Sequence, residues 1–211
     1  TISIPFRTGD VVEPTVPMVN PLDSLFFVGD KENSSGAASV STIRYTSKKM
    51  EGQASNKLAY TYGEANGEAH YAATDLTAYK GNSKSTFGLY VFADYSFNTL
   101  YAKWAVEGDI QYTKICDLDY AGWLYQEADM SSLPAGVDYQ FMGLKLVRGT
   151  SFLSEKGEVS VDALRVKFEP TPTDVENVET ATPAQNKVIE NGYLNILLNG
   201  VKYNVQGAVV K

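Results

Sequence analysis

The sequence is poor in the residues on which most catalytic and metal centres depend. Its 211 residues include one histidine, His70, and one cysteine, Cys116. A single cysteine excludes an intrachain disulfide, and a single histidine excludes a multi-histidine metal site. The chain also lacks a Gly-x-Ser-x-Gly elbow, a glycine-rich phosphate loop and a His-Glu-x-x-His motif. These absences argue against an enzyme, and we interpret His70 as an exposed strand residue.

An excess of positive charge and long apolar runs are missing as well. The formal net charge is −7 and the one basic cluster is Lys48-Lys49, so we expect no nucleic-acid partner. No stretch approaches the roughly 20 apolar residues of a membrane helix, and no charged start precedes an apolar run at the N-terminus. We therefore expect a soluble mature chain trimmed of its signal, and the lack of disulfides does not exclude export.

Carboxylates are plentiful, and a glycosidase needs only two of them, about 5 to 10 Å apart. Asp117 and Asp119 are one residue apart, so they either point to the same face of a strand or lie together in a turn. We favour the turn. Asp94, Glu107 and Glu127 are further candidates, but no pattern singles one of them out. We predict that the chain is not an enzyme.

The chain is rich in short runs of β-branched and aromatic residues separated by Gly, Asn, Asp or Ser. Nine such runs are VSTIRYTS, KLAYTYGE, EAHYAAT, TFGLYVFA, TLYAKWAVE, IQYTKIC, GWLYQEA, YQFMGLKLV and EVSVDALRVKF. No convincing helical stretch lies between them. This pattern predicts an all-β, antiparallel β-sandwich, with a closed barrel as the main alternative.

Proline-rich segments predict the domain boundaries. Residues 1–21 contain four prolines and are expected to be a linker or the end of a preceding domain. Residues 22–169 hold the predicted sandwich. Residues 170–186 are rich in proline and acidic residues, which is typical of an extended linker. Residues 187–211 form a separate C-terminal segment.

The C-terminal segment carries hairpin signals. Asn-Gly occurs at 191–192 and 199–200 and Gln-Gly at 206–207, each between runs of alternating apolar residues. Asn-Gly readily takes the positive φ angles of tight hairpins, so the segment predicts a short β-meander. About 25 residues bury too little surface to be stable alone, and we expect the meander to lean on the main domain or on a partner.

Strand alternation separates core side chains from outward-facing ones. We assign Phe87, Leu89, Val91, Leu100 and Trp104 to the core, and we favour a packed Trp104 over a sugar platform. Along Tyr139–Val147 the apolar phase is that of Met142, Leu144 and Leu146. In both runs, TLYAKWAVE and YQFMGLKLV, the residues that alternate with the core residues are predicted to face outward. They consist of Tyr101, Lys103, Tyr139, Phe141 and Lys145.

Exposed rings beside long polar side chains suit a carbohydrate, because a pyranose stacks on an aromatic ring while its hydroxyls bind charged groups. The predicted carbohydrate-binding set is therefore that outward group together with Tyr95. The alternative is that a loop or the C-terminal meander covers these rings. The sequence does not decide between the two.

Residues from about Asn56 to Phe168 resemble the jelly-roll, galactose-binding-like domains attached to phosphodiester-glycosidase-type and other carbohydrate-active surface proteins of bacteria. Four stretches carry the resemblance: NKLAYTY, FGLYVFADYSFNTLYAKW, DLDYAGWLYQEADMSSLPAGVDYQFMGLKLV and KGEVSVDALRV. Asp94, Ser96 and Asn98 match the turn of these domains, whereas Ala93 stands where that turn usually has glycine. The resemblance implies a jelly-roll, carbohydrate-binding module.

The resemblance also bears on cofactors. Related domains often hold a structural calcium with an early glutamate and the aspartate of the closing strand, which is Asp162 in this chain. The early glutamate has no counterpart in DSLFFVGDKE, and calcium needs six or more oxygen ligands. Calcium at Asp162 is thus a candidate, and no other cofactor is expected.

The C-terminal segment resembles the short tails that end many Bacteroidetes secreted and surface proteins, with YNVQG, Tyr203 to Gly207, as the closing motif. The combined prediction is a non-catalytic carbohydrate-binding accessory module of a bacterial secreted or cell-surface protein. It would be a monomer or part of a larger chain, peripheral to the cell surface, with a glycan as partner. The alternative is a structural spacer or adhesion domain without glycan affinity.

Overall fold

Strands account for most of the computed structural model, which describes residues 13–172, 186–190, 193–198, 201–204 and 208–210. The chain divides into two units, residues 1–171 and residues 172–211. The strands of the first unit are β1 (Met18–Asn20), β2 (Phe27–Ser35), β3 (Ala37–Tyr45), β4 (Ser55–Tyr62), β5 (Glu68–Ala73), β6 (Lys80–Gly81), β7 (Thr86–Asp94), β8 (Thr99–Val106), β9 (Asp109–Asp117), β10 (Ala121–Glu127), β11 (Tyr139–Val147) and β12 (Lys156–Lys167). Two short 3₁₀ helices span Met130–Ser132 and Phe152–Glu155.

These strands pair into two antiparallel sheets that form a sandwich. The first sheet has the order β10-β7-β12-β4-β3, with β1 added to β12. The second sheet has the order β2-β5-β11-β8-β9, with β6 added to β11. Strands β4, β5 and β7 to β12 follow the eight-stranded jelly-roll order, in which the chain passes repeatedly from one sheet to the other. Both sheets have open edges, so the predicted sandwich is confirmed and the barrel alternative is wrong.

Aromatic side chains from both sheets meet in the core. The Phe87 ring of the first sheet packs edge-on against Trp104, with centroids 5.0 Å apart, and tilted against Phe141, at 4.9 Å. Both partners belong to the second sheet. All five residues assigned to the core from the sequence are buried, and the most exposed of them is Leu89, at 2%. Edge-to-face rings add to the apolar burial that holds the two sheets together.

A β-bulge in β11 reverses part of the predicted alternation. Phe141 is opposite Trp104 and Gly143 is opposite Lys103, so Met142 has no partner on β8. The extra residue shifts the side-chain phase by one. As a result, Tyr139 and Phe141 point into the core and are 1% and 0% exposed. The prediction that these two rings face outward is therefore wrong, because it assumed an uninterrupted period of two.

The ends of the first unit also depart from the sequence reading. Residues 18–20, which lie in the predicted N-terminal linker, form β1 and pair with β12. Val16 and Leu22 on either side are buried. This part of the predicted linker therefore belongs to the sandwich, whereas residues 1–12 lie outside the described residues. Most of the predicted linker 170–186 lies outside them too, and its boundaries stay a prediction.

The turn motif after β7 fastens two loops to each other. The Asp94 carboxylate accepts hydrogen bonds from the Tyr60 hydroxyl and the Ser96 amide. The Asn98 side chain accepts from the Gly149 amide and donates to the Ser154 carbonyl. The polar residues that carried the resemblance are thus engaged in holding the loops at this end of the sandwich.

The second unit contains a three-stranded antiparallel sheet. Its strands are β13 (Asn186–Glu190), β14 (Tyr193–Leu198) and β15 (Val201–Asn204). Glu190 pairs with Tyr193 and Leu198 with Val201, which agrees with the predicted meander. The three dipeptides that predicted its turns lie outside the described residues. That the meander leans on the first unit or on a partner stays a prediction. Within the described ranges, no helix has the length and apolar character needed to cross a membrane.

Candidate functional site

The outer face of the second sheet concentrates rings and charged groups at its centre. Strand alternation directs these side chains outward, because their neighbours Ala69, Leu100, Ala102 and Leu144 are buried. We call this surface the second-sheet face. It consists of Glu68 and His70 on β5, Lys145 on β11, Tyr101 and Lys103 on β8, and Tyr112 on β9.

Lys145 connects the polar and aromatic parts of this face. Its ammonium lies 3.8 Å from the centroid of the Tyr112 ring and 5.5 Å from that of Tyr101. It also forms an ion pair with Glu68, with Nζ and Oε1 3.2 Å apart. A cation over an aromatic ring is attracted by the ring quadrupole, more strongly when it is shielded from water. Because the Lys145 side chain is only 12% exposed, these contacts hold it in one position.

His70 lies beside Lys145 and is almost covered, at 5% exposure, so the interpretation of His70 as an exposed strand residue is wrong. Its Nε2 is 3.4 Å from Glu68 Oε2, and its ring meets Tyr112 edge-on at 6.2 Å. Burial lowers the pKa of His70, the Glu68 hydrogen bond opposes this effect, and the charge of Lys103 adds to it. The imidazole is therefore neutral at pH 7. Its Nδ1 is buried without a hydrogen-bond partner in the described part of the protein.

Glu68 keeps its charge on this face. Burial opposes its ionisation, but the hydrogen bond from Lys145 and then that from His70 outweigh burial and lower the pKa of the carboxyl. For Tyr112, burial and the Glu68 charge raise the pKa of the hydroxyl, which stays protonated. The face thus offers a carboxylate acceptor, ammonium and hydroxyl donors, and two half-buried rings.

Three of the six predicted contact residues come together on this face. Lys145 is directly opposite Tyr101, and Lys103 lies on the same strand as Tyr101. Tyr139 and Phe141 are in the core, where the Tyr139 hydroxyl donates to Asp109. Tyr95 lies in the loop after β7, its ring 4.8 Å from that of Phe97. The structure adds Tyr112, His70 and Glu68, which the sequence pattern did not select.

Rings also lie on the outer side of the first sheet. Phe92 packs edge-on against Trp123 at 5.5 Å, and Tyr90 against Tyr125 at 5.6 Å. The ammonium of Lys48 covers the Phe92 ring at 4.0 Å. The rings of this sheet therefore pack on one another and beneath a lysine, and the Tyr125 hydroxyl donates a hydrogen bond to Glu127.

The contacts of Asp162 do not fit a calcium ligand. Its side chain is fully buried, and Oδ2 accepts hydrogen bonds from the amides of Met50 and Glu51, at 2.6 and 3.1 Å. Oδ1 accepts from the Ala163 amide at 2.8 Å. Calcium requires a shell of oxygen atoms, whereas N–H donors surround this carboxylate. Across the described residues, no group of three or more His, Cys, Asp or Glu side chains is placed to hold a metal.

A polar cleft of about 280 Å³ lies where the edge strands β9 and β10 approach each other. Its lining consists of Lys114, Cys116, Asp117, Asp119, Tyr120, Leu124 and Gln126. Lys114 and Asp117 form an ion pair at 2.7 Å, and Thr99 donates to the same carboxylate. Burial raises the pKa of the Cys116 thiol to about 12, so this cysteine is not a nucleophile. The cleft borders the second-sheet face, because Lys114 is opposite Tyr101.

No protein-family model and no curated protein sequence matches the chain. Among solved structures, a β-sandwich carbohydrate-binding module described for its promiscuous specificity is similar, with 13% identity and a TM-score of 0.47 over 67% of this chain and 57% of its own. A xylan-binding domain from Paenibacillus barcinonensis is similar with 10% identity and a TM-score of 0.41, over 69% of this chain and all of its own. An exo-β-agarase is similar with 12% identity and a TM-score of 0.39, over 75% of this chain and 25% of its own. These similar structures include both binding modules and an enzyme.

Proposed function

We propose that this protein is a non-catalytic carbohydrate-binding module and that the glycan lies on the second-sheet face. One observation carries the proposal. Two half-buried tyrosines, Tyr101 and Tyr112, flank an ammonium that is held in place by a carboxylate. Sugar sites combine apolar ring surface with a few fixed polar groups, and this face has both.

The chemistry of a pyranose matches these groups. Its C–H-rich side stacks on an aromatic ring, and its hydroxyls donate to a carboxylate or accept from an ammonium. Tyr101 and Tyr112 supply the rings, while Glu68 and Lys145 supply an acceptor and donors. Because Lys145 is already fixed by Glu68 and Tyr112, a ligand would not have to order it. Less conformational entropy is then lost on binding.

Three of the five carboxylates considered for catalysis are occupied by structural contacts. Asp94 accepts from Tyr60 and Ser96, Asp117 from Lys114 and Thr99, and Glu127 from the Tyr125 hydroxyl. A glycosidase needs two free carboxyl groups that face one bond of the substrate. These contacts support a binding role rather than a catalytic one.

We place the module in a bacterial secreted or cell-surface protein, as an accessory to other domains. This context is supported by the resemblance of Asn56 to Phe168 to such modules and of the C-terminal segment to Bacteroidetes tails. The second candidate is a spacer or adhesion domain without glycan affinity. It is favoured by the burial of Tyr139 and Phe141 and by the position of Lys145 over the Tyr112 ring, since both reduce the exposed aromatic surface.

A glycan-array screen of the purified protein tests the proposal. The variants Tyr101→Ala and Tyr112→Ala should lose binding while their melting temperatures stay close to that of the wild type. Tyr45→Ala is the matched control, because Tyr45 also lies under a lysine, Lys57, but on the other sheet. We expect this control to bind normally. If the wild-type protein bound no glycan on a broad array, the spacer or adhesion domain would be favoured.

A further inference from the structure

Among the described residues, Lys103 is the ammonium of the second-sheet face that has no acidic partner. Lys145 pairs with Glu68, and Lys114 at the border of the face pairs with Asp117. Lys103 is half-buried, yet it forms no hydrogen bond or ion pair with any residue in the described part of the chain. A half-buried charge without a partner loses hydration and gains little in return.

The centre of this face carries an excess of positive charge, whereas the chain as a whole is acidic. At the centre of the face Lys103 and Lys145 are accompanied by one carboxylate, that of Glu68, and the neutral His70 adds no charge. The next carboxylate, Asp30, is opposite His70 on the edge strand β2, where it accepts hydrogen bonds from Asn33. The formal net charge of the chain is −7. A local positive site in an acidic protein attracts and orients an anion at short range, because the surrounding charges repel anions elsewhere.

The residues directly opposite Lys103 on β11 and β5 are small. The cross-strand neighbour of Lys103 on β11 is Gly143, and the residue opposite Gly143 on β5 is Ala72. On the other side, Lys103 is opposite Tyr112. Two long side chains approach Lys103 from β11, the outward-facing Met142 of the bulge and Lys145, which crosses β8 to Tyr112. One of the two proposed stacking rings, Tyr112, is adjacent to Lys103.

We infer that the second-sheet face takes an anionic saccharide, whose carboxylate or sulfate pairs with Lys103 while its pyranose rings lie on Tyr101 and Tyr112. This inference rests on the proposed carbohydrate-binding function and names its ligand class. A neutral glycan on the same face would cover Lys103 without neutralising it. The desolvation cost of the ammonium then discriminates against neutral ligands.

Isothermal titration calorimetry with three oligosaccharides of equal length tests whether the face prefers an anionic saccharide. The ligands are an oligogalacturonate, a sulfated oligogalactan and a neutral oligogalactan. We expect one of the two acidic ligands to bind at least about tenfold more tightly than the neutral one, which corresponds to about 1.4 kcal/mol. The affinity for that ligand should fall as salt increases. The comparison of the two acidic ligands identifies the anionic group.

Variants of Lys103 localise the effect. Lys103→Gln should weaken binding of the preferred acidic ligand about tenfold and leave the neutral one unchanged, because only the acidic ligand loses a charge pair. Lys103→Arg keeps the charge and should retain most of the affinity. Lys57→Gln makes the same charge change on the other sheet and should have no effect.

The outcomes separate this inference from the proposed function. Equal or tighter binding of the neutral ligand, unaltered by Lys103→Gln but lost in Tyr112→Ala, would overturn the anionic ligand and keep the glycan site. Failure of all three ligands and of a broad array would overturn both. Binding of an acidic ligand that Lys103→Gln does not weaken would also overturn the assignment to Lys103.

Discussion

The ammonium of Lys145 lies 3.8 Å from the centroid of the Tyr112 ring, although the two residues are on strands separated by β8. Lys145 therefore reaches across β8, past Tyr101, to the edge strand β9. Its other contact, Glu68, is on β5 on the opposite side of β11. The Lys145 side chain thus connects β11 with β5, β8 and β9, and it holds the two tyrosines at fixed positions.

The bulge at Gly143 should be intolerant of any side chain. Its φ is +138°, and a Cβ at this position would lie 2.1 Å from the Tyr71 carbonyl oxygen. Gly122 has a φ of +113° but nothing within 4 Å of such a Cβ, so Gly122→Ala is the matched control. Backbone strain alone costs about 1–3 kcal/mol. We expect Gly143→Ala to lower the free energy of unfolding in urea by clearly more than Gly122→Ala. Equal losses would contradict the close approach.

The buried hydrogen bond from Trp104 Nε1 to Thr113 Oγ1, 2.9 Å long, should contribute measurably to stability. Thr113→Val keeps the shape but leaves the indole N–H without an acceptor, which costs about 1–3 kcal/mol. Thr61→Val makes the same change at a half-exposed strand position and should cost less than about 0.5 kcal/mol. Urea unfolding measures both losses. A Thr113→Val variant as stable as the wild type would show that the bond is not formed.

The fold was largely predictable because most strands follow a simple pattern. The run YQFMGLKLV matches β11 residue for residue, and the alternation of β8 correctly placed Leu100 and Trp104 in the core. Strand β1 was missed because it lies between two prolines, Pro17 and Pro21. Strand β2 was missed because most of FVGDKENSS is polar and small, as an edge strand permits.

The site was only partly predictable. Tyr101, Lys103 and Lys145 followed from alternation, but the bulge at Met142–Gly143 adds one residue that periodicity does not reveal. Tyr112 was within a predicted strand, yet its pattern does not say which side faces the core. The one local signal for the bulge was Gly143, because glycine in a strand often marks a bulge. The apolar residues are at odd positions before it, Tyr139 and Phe141, and at even positions after it, Leu144 and Leu146.

Stability should depend on His70 between about pH 7 and pH 5. Burial lowers the pKa of His70 below its ordinary 6.5. The unfolded chain then binds the proton more readily than the folded one, so stability is complete above the unfolded pKa and falls as the pH drops toward the folded pKa. His70 is the single histidine. We expect the unfolding free energy of the wild type to fall over this range and that of His70→Gln to change less. A wild-type profile that is flat or rises toward pH 5 would refute this.

Calcium should not stabilise the fold through Asp162. Both oxygens of this carboxylate accept backbone N–H groups, from Met50, Glu51 and Ala163. The melting temperature should therefore be the same in millimolar calcium and in a chelator. Asp162→Asn should lower it in both conditions, because the amide nitrogen replaces an acceptor. A calcium-dependent rise that Asp162→Asn abolishes would restore the metal site.

NMR chemical-shift mapping measures directly whether a glycan binds to the second-sheet face. A saccharide that the array identifies is titrated into ¹⁵N-labelled protein, and the amide shifts of the two sheets are compared. We expect little change on β3 and β4 and the largest changes at Glu68, His70, Tyr101, Lys103, Tyr112 and Lys145. Changes concentrated on the outer side of the first sheet, or in the loop around Tyr95 and Phe97, would contradict binding to the second-sheet face.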